Sequence, residues 1–336
     1  MKLPRISKNF LRYLLAPLLL VVLLWAIAEE LLSQQRLPLL VEGLQSAISG
    51  ATSAKGIFLL IMLLILMIAN WSLEAFKWKL AISVLEPVSF FTAFKATFSG
   101  ISFSVSLPYR VGEYLGRMLY LEQTKRFKAI PITVVASLSQ LLVTVFAGFL
   151  SYLYLLPQLD SLQLFSGTPF VFFGVGIALL LTLFSFIFFK VGSLSSYLAA
   201  KVPIKWISTW TEGLTYFTRP HLRRLLLFST LRYLVFLLQY ACAFTLFNVC
   251  LSPLDLIAAV GFCFLLLSIV PNFAIAELGI RGLVSLWIVG LFSVNKTGIL
   301  LATLTIWLVN LILPAVVGAL LLLGIGKLYA RQHEKN

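Results

Sequence analysis

Five stretches of this chain, Gly56 to Phe76, Ala129 to Leu156, Thr168 to Phe189, Leu225 to Cys250 and Leu300 to Leu323, are dominated by apolar side chains over more than twenty residues. About 20 such residues carry an α-helix across the roughly 30 Å hydrocarbon core of a bilayer. A bilayer offers the backbone no water to bond, so each stretch has to close its hydrogen bonds internally as a helix. Hydrophobic residues make up 60% of the chain, charged ones 11%, and the mean hydropathy is +1.01. The expected class is an all-α polytopic membrane protein without a soluble domain.

The basic residues orient the spans. Lys2, Arg5, Lys8 and Arg12 place the N-terminus in the cytoplasm, and the run from about Phe10 to Leu32 crosses outward as a sixth span. Ala26-Ile27-Ala28 has the form of a signal-peptidase site, but the apolar run is long for a cleaved signal, and an anchor helix is expected. Residues 33–55 read as an external loop. Lys77, Trp78 and Lys79 read as a basic and aromatic interface anchor, Lys125, Arg126 and Lys128 mark a second cytoplasmic loop, and Lys327, Arg331 and Lys335 form a cytoplasmic tail. The net charge of +14 is therefore assigned to the positive-inside pattern rather than to nucleic acid. The basic loop 190–224, with Trp206, Trp210, Tyr216 and Phe217, suits an interfacial amphipathic helix or a solvated linker.

Between the cytoplasmic markers, the chain has only the piece 90–121, too short for two spans, and 254–292 stands in the same relation to the outer face. Each is expected to be a re-entrant hairpin, the two entering from opposite faces. The order helix, hairpin, helix thus occurs twice with inverted orientation, in halves of about 56–156 and 225–323 joined by the span 168–189. The predicted domain organisation is an anchor helix and external loop over 1–55 and one membrane domain over 56–336. Inverted repeats whose broken helices meet at the midplane are a common transporter architecture.

Both hairpins carry charge where the surroundings are apolar. Pro108-Tyr109-Arg110-Val111-Gly112-Glu113 is followed by Arg117, and Pro271-Asn272-Phe273-Ala274-Ile275-Ala276-Glu277 is followed by Arg281. A charge at the bilayer centre costs roughly 2.5 to 3.5 kcal/mol on insertion scales, so such residues are candidates for function. Glu113 and Arg117, like Glu277 and Arg281, are four apart and share a helix face, where they pair. Two readings stand: a lock between the hairpin tips, or a polar site for an anionic or zwitterionic group formed by Arg110, Glu113, Arg117, Asn272, Glu277 and Arg281. Pro108 and Pro271 break the apolar runs, and Gly112, Gly116 and Gly279 allow close backbone approach at the tips. Asn70, Glu74, Gln140, Gln239 and Asn310 are further polar residues in the spans, expected chiefly to hydrogen-bond between helices.

Catalysis is not expected: the histidines are His221 and His333, and no HExxH, Walker or GxSxG pattern occurs. Cys242, Cys250 and Cys263 show no metal-ligand spacing and read as small buried hydrophobes, so no metal and no cofactor is expected.

Trp78-Lys79-Leu80, Leu107-Pro108-Tyr109-Arg110-Val111-Gly112-Glu113 with Arg117, and Pro271 with Leu278-Gly279-Ile280-Arg281 resemble motifs of the lysylphosphatidylglycerol synthase transmembrane-region family of flippase-like proteins, from about residue 56 onward. The first motif looks like the family's Pro-x-Arg-x-Gly-Glu element. The second departs from its Leu-Gly-Val-Arg-Glu element, since Gly282 follows Arg281 and Glu277 precedes the segment. The resemblance implies a bacterial inner-membrane protein, both termini cytoplasmic, that moves a phospholipid between leaflets. The soluble aminoacyl-transferring domain of the fused members is not expected here, so synthesis of lysylphosphatidylglycerol is not expected of this chain. Membrane lipids are the expected partners, with a second copy or a lipid-synthesising enzyme also open. A scaffold for a cell-envelope system and a small-solute transporter are the competing functions.

Overall fold

The computed structural model describes residue 45 and residues 48–106, 111–161, 168–201, 211, 213–270 and 274–333. The elements are α1 (Ala54–Ile82), α2 (Phe90–Ser106), α3 (Val111–Met118), α4 (Arg126–Ser161), α5 (Thr168–Phe189), α6 (Val191–Lys201), α7 (Arg219–Leu246), α8 (Pro253–Ile269), α9 (Ala274–Val289), α10 (Lys296–Trp307), a π-helical turn (Leu308–Ile312) and α11 (Leu313–His333). No strand occurs among the described residues, as expected.

Five helices are long and apolar enough to cross a membrane: Ala54–Ile82, Gln123–Leu159, Val171–Phe189, Arg219–Leu246 and Lys296–Leu323. They coincide with the five apolar stretches read from the sequence. The expected sixth span, about 10–32, lies outside the described residues. The helix boundaries have local causes. Ser53 caps α1 by accepting from Gly56 N at 3.0 Å, and Ser252 caps α8 by accepting from Asp255 N at 3.2 Å. Asn295 caps α10 through Gly298 N at 2.9 Å while its Nδ2 donates to Phe247 O at 2.9 Å, which ties the end of α7 to the start of α10.

The helix pairs pack in a reciprocal way. α1 and α7 run antiparallel along one another: Gly50 lies against Leu246, Glu74 meets Arg232, and Phe76 stacks on Phe228 at 6.2 Å. The pair α2–α3 sets α2 against α11, with Gly318 against Phe98. The pair α8–α9 sets α8 against α4, antiparallel through Gly148 with Leu265 and Ser151 with Gly261. Apolar side chains gain little from leaving lipid for protein, so such an interface depends on close packing and polar contacts. Small residues mark these crossings accordingly. α5 is peripheral and shows Val171, Phe172 and Leu179 outward.

α3 presses most closely on α2. A Cβ on Gly116 would stand 2.6 Å from Gly100 Cα, and one on Gly112 would stand 2.1 Å from Phe103 O. At both glycines the α3 backbone lies directly against α2.

Two expectations at the membrane surface differ from the structure. Lys77 and Trp78 do not face an interface: both are buried, and Trp78 Nε1 donates to Thr133 Oγ1 at 3.3 Å. The face of α1 on which they sit is the one that α4 and α7 cover. Phe217 is also buried, because the 3₁₀ turn Gly213–Tyr216 runs against Ile132 and feeds Phe217 into the cluster around Trp78, Ile132 and Phe188. Tyr216 remains exposed, while Trp206 and Trp210 lie outside the described residues. Of the cysteines, Cys263 is buried, Cys242 is half-buried, and Cys250 is exposed beyond the end of α7.

Candidate functional site

The inward face of α1 carries Asn70, Trp71, Glu74, Lys77 and Trp78, at helical spacing three and four apart. Its centre is Glu74, whose carboxylate gathers three cations from three helices. Lys77 Nζ lies 2.7 Å from Oε2, Arg232 Nη1 of α7 lies 2.7 Å from Oε2, and Arg117 Nη2 of α3 lies 2.9 Å from Oε1. The same Arg117 nitrogen also bonds Glu113 Oε1. Arg232 is further fixed by donating through Nε to Asn70 Oδ1 at 2.7 Å and by lying over the rings of Trp71 and Phe236, at 4.9 and 5.5 Å.

Neutral polar groups extend the network. Asn70 Nδ2 donates to Asn310 Oδ1 at 3.2 Å, and Asn310 Nδ2 donates to Ile306 O at 3.2 Å. Asn310 sits in the π-helical turn, directly ahead of Pro314, whose ring has no N–H to continue the α-helical ladder. Lys77 also donates to Gln140 Oε1 at 3.5 Å, Gln140 Nε2 donates to Ser229 O at 3.4 Å, and the hydroxyls of Ser139 and Ser229 bond at 2.8 Å. α1, α3, α4, α7 and the π-helical turn are thereby joined through side chains.

On the second hairpin, Arg281 donates to Glu277 Oε1 through Nε at 2.8 Å and through Nη2 at 2.5 Å. The i to i+4 pairing expected in each motif is present in both. The motifs also converge. One cavity of about 350 Å³ is lined by Glu113 of the first motif, by Glu277 and Arg281 of the second, and by Arg232, Gln140 and Asn310. Its remaining wall is largely aromatic and aliphatic, including Trp71, Phe236, Phe264 and Trp307. Arg117 stands behind Glu113 at 1% exposure, in contact with Glu74. Gly279 is buried within α9. Pro108, Arg110, Pro271 and Asn272 lie outside the described residues.

Sequence reasoning did not single out Lys77 or Arg232 as site residues, and it ranked Glu74 as an ordinary interhelical bond. The signals were present. Arg232 is the one charged residue between Leu225 and Cys250, and Asn70, Glu74 and Lys77 repeat at helical spacing on an otherwise apolar segment.

Comparison with known proteins places the chain in a family. A profile described as the lysylphosphatidylglycerol synthase transmembrane region matches residues 9–318. The chain belongs to that family. The match begins well ahead of residue 56, so the family's region takes in the N-terminal run as well as the two hairpins. No curated protein and no solved structure matches the chain. Within this family member, Glu74, Glu113, Arg117, Arg232, Glu277 and Arg281 form the charged centre of the described membrane domain.

Proposed function

We propose that this family member is a lipid transporter that moves a phospholipid, or a related anionic or zwitterionic lipid, between leaflets. In this reading, it has six full spans and two re-entrant hairpins of opposite orientation. It sits in a bacterial inner membrane with both termini in the cytoplasm, has no catalytic role and needs no cofactor. The observation that carries the reading is the cavity, which takes charged residues from both hairpins and from α7 into one space. Such a space lets a head group pass while acyl chains remain in lipid. Glu113 and Arg281 are only part-buried, so each is available to exchange its partner for a head-group atom.

The reciprocal packing of the halves supports alternating exposure, because each hairpin rests on the last helix of the opposite half. The test is reconstitution of the purified protein in liposomes, with leaflet exposure of labelled phosphatidylglycerol and an aminoacylated form followed for wild type and Glu113→Gln. Movement that Glu113→Gln abolishes is the expected result. Undiminished movement by a folded Glu113→Gln variant overturns the reading.

One observation favours a second reading. Every charged residue of the centre has an opposite charge within bonding distance, which is also what a rigid scaffold or a small-solute transporter would show. A scaffold keeps its associations in Glu113→Gln, and a solute carrier moves a water-soluble cargo in the same liposomes.

A further inference from the structure

The helix Lys296–Leu323 is long and apolar enough to cross a membrane in one piece, yet its two ends rest on different neighbours. α10 packs on α7 and α9, whereas α11 packs on α2, where Gly318 lies against Phe98 and Ser102. α9 carries the second charged motif, and α2 carries α3 with the first through the close approach of Gly100 and Gly116. The span therefore joins the supports of both motifs, and the junction is the π-helical turn Leu308–Ile312.

That turn is where the span is easiest to bend. Leu313 N–H donates five residues back to Leu308 O, and Pro314 has no N–H to give. Val309 O thus receives neither of the helical donors that could reach it, the one four residues on or the one five residues on. Prolines and π-helical turns are the usual sites of sharp bends in helices. Beside the turn, Trp307 Nε1 is buried without a hydrogen-bond partner among the described residues. Such unmet groups are uncommon in folded proteins, and they fit an element that has a second arrangement.

One side chain holds the turn. Asn310 accepts from Asn70 Nδ2 of α1 at 3.2 Å and donates through its own Nδ2 to Ile306 O of α10 at 3.2 Å. Asn70 Oδ1 accepts from Arg232 Nε at 2.7 Å, and Arg232 bonds Glu74. A change of partners at Arg232 therefore reaches the turn through two hydrogen bonds. Arg117 of α3 and Arg232 of α7 share Glu74, so the same carboxylate keeps the neighbours of α10 and of α11 together.

We propose that Leu308–Ile312 is a hinge and that the Asn70–Asn310 hydrogen bond is its latch. Bending at the turn moves α11 with α2 and α3 as one body against α10 with α7 and α9, over α1, which touches both bodies. Glu113 lines the cavity from the first body and Glu277 and Arg281 line it from the second, so the motion changes their separation. α9 also touches α2, and that contact is the one the motion breaks and remakes. Movement of packed helices about a few residues that absorb the backbone change is an established route between two states of a fold. The hinge goes beyond the transport reading, because it belongs to the fold and does not depend on what the cavity takes.

The test is a distance measurement by double electron–electron resonance on the full chain in nanodiscs of phosphatidylethanolamine and phosphatidylglycerol. Spin labels are attached through Leu119→Cys, after α3, and Val294→Cys, ahead of α10, in a variant lacking Cys242, Cys250 and Cys263; both labelled positions are exposed. With the hinge intact, two distances are expected. Asn310→Leu cuts the latch and should raise the less populated distance about threefold, the effect of one typical hydrogen bond between membrane helices. Pro314→Ala restores the missing donor and should leave a single distance. It removes no part of the latch, and it carries the test if Asn310→Leu does not fold. A single distance that Asn310→Leu leaves unchanged, or two distances that persist unaltered in Pro314→Ala, overturns the hinge.

Leaflet movement of labelled phosphatidylglycerol by the same variants separates this claim from the transport reading. Movement at the wild-type rate by Pro314→Ala keeps the transport reading and overturns the hinge as its device. Two distances that respond to both substitutions while no lipid moves uphold the hinge and remove the lipid reading.

Discussion

The Glu74 carboxylate receives Arg232 Nη1 at 2.7 Å across 158 residues of chain, and this contact joins α1 and α7 within their antiparallel crossing. Removing one partner of a buried ion pair leaves the other charge uncompensated and typically costs about 3 to 5 kcal/mol. Glu74→Gln strands parts of three cations. A loss of stability in that range is expected, measured by unfolding of the detergent-solubilised protein, and a loss below about 1 kcal/mol would show that the cations find other partners.

Glu113 is expected to behave differently from Glu74. Its side chain is 22% exposed against 5% for Glu74, and its partner Arg117 retains Glu74 when Glu113 is neutralised. Glu113→Gln should cost no more than about 1 kcal/mol in stability while stopping lipid movement. A variant that both unfolds and fails to transport would assign Glu113 to the lock between helices.

Arg232→Lys retains the charge and loses the geometry. A single ammonium cannot hold Asn70 Oδ1 and Glu74 Oε2 while covering the Trp71 and Phe236 rings as a planar guanidinium does. A destabilisation of about 1 to 3 kcal/mol is expected from the same unfolding measurement. Wild-type stability in Arg232→Lys would mean that charge alone matters at this position.

The crossing of α2 and α3 admits no side chain on its glycines. Gly116→Val would place Cβ 2.6 Å from Gly100 Cα, against backbone rather than a movable side chain. Overpacking of this kind costs typically about 1 to 3 kcal/mol or more, and the variant should lower the unfolding midpoint and release α3 to proteolysis. An unchanged midpoint would mean that α3 shifts freely on α2.

The opposed entry of the hairpins has a direct check. Single cysteines are introduced at Glu122, after α3, and at Val294, after α9, in a variant lacking Cys242, Cys250 and Cys263. Both positions are exposed, Val294 at 97%. Glu122→Cys should label from the cytoplasmic side and Val294→Cys from the external side. Labelling of both from one side would defeat the inverted arrangement.

The chain by itself determined the helical class, the five described spans and the pairing within each motif. These follow from local rules: an apolar run of sufficient length has to be helical in lipid, and residues four apart on a helix meet. Tertiary structure alone decided which charges share a site. Glu74, Arg117 and Arg232 come from helices far apart in sequence, and nothing local records that one carboxylate would gather them. It likewise moved Lys77 and Trp78 from an expected interface to the interior, because the burial of a helix face depends on which neighbours cover it. The two motifs, each legible alone, became one candidate site only when α2–α3 and α8–α9 packed around a common cavity.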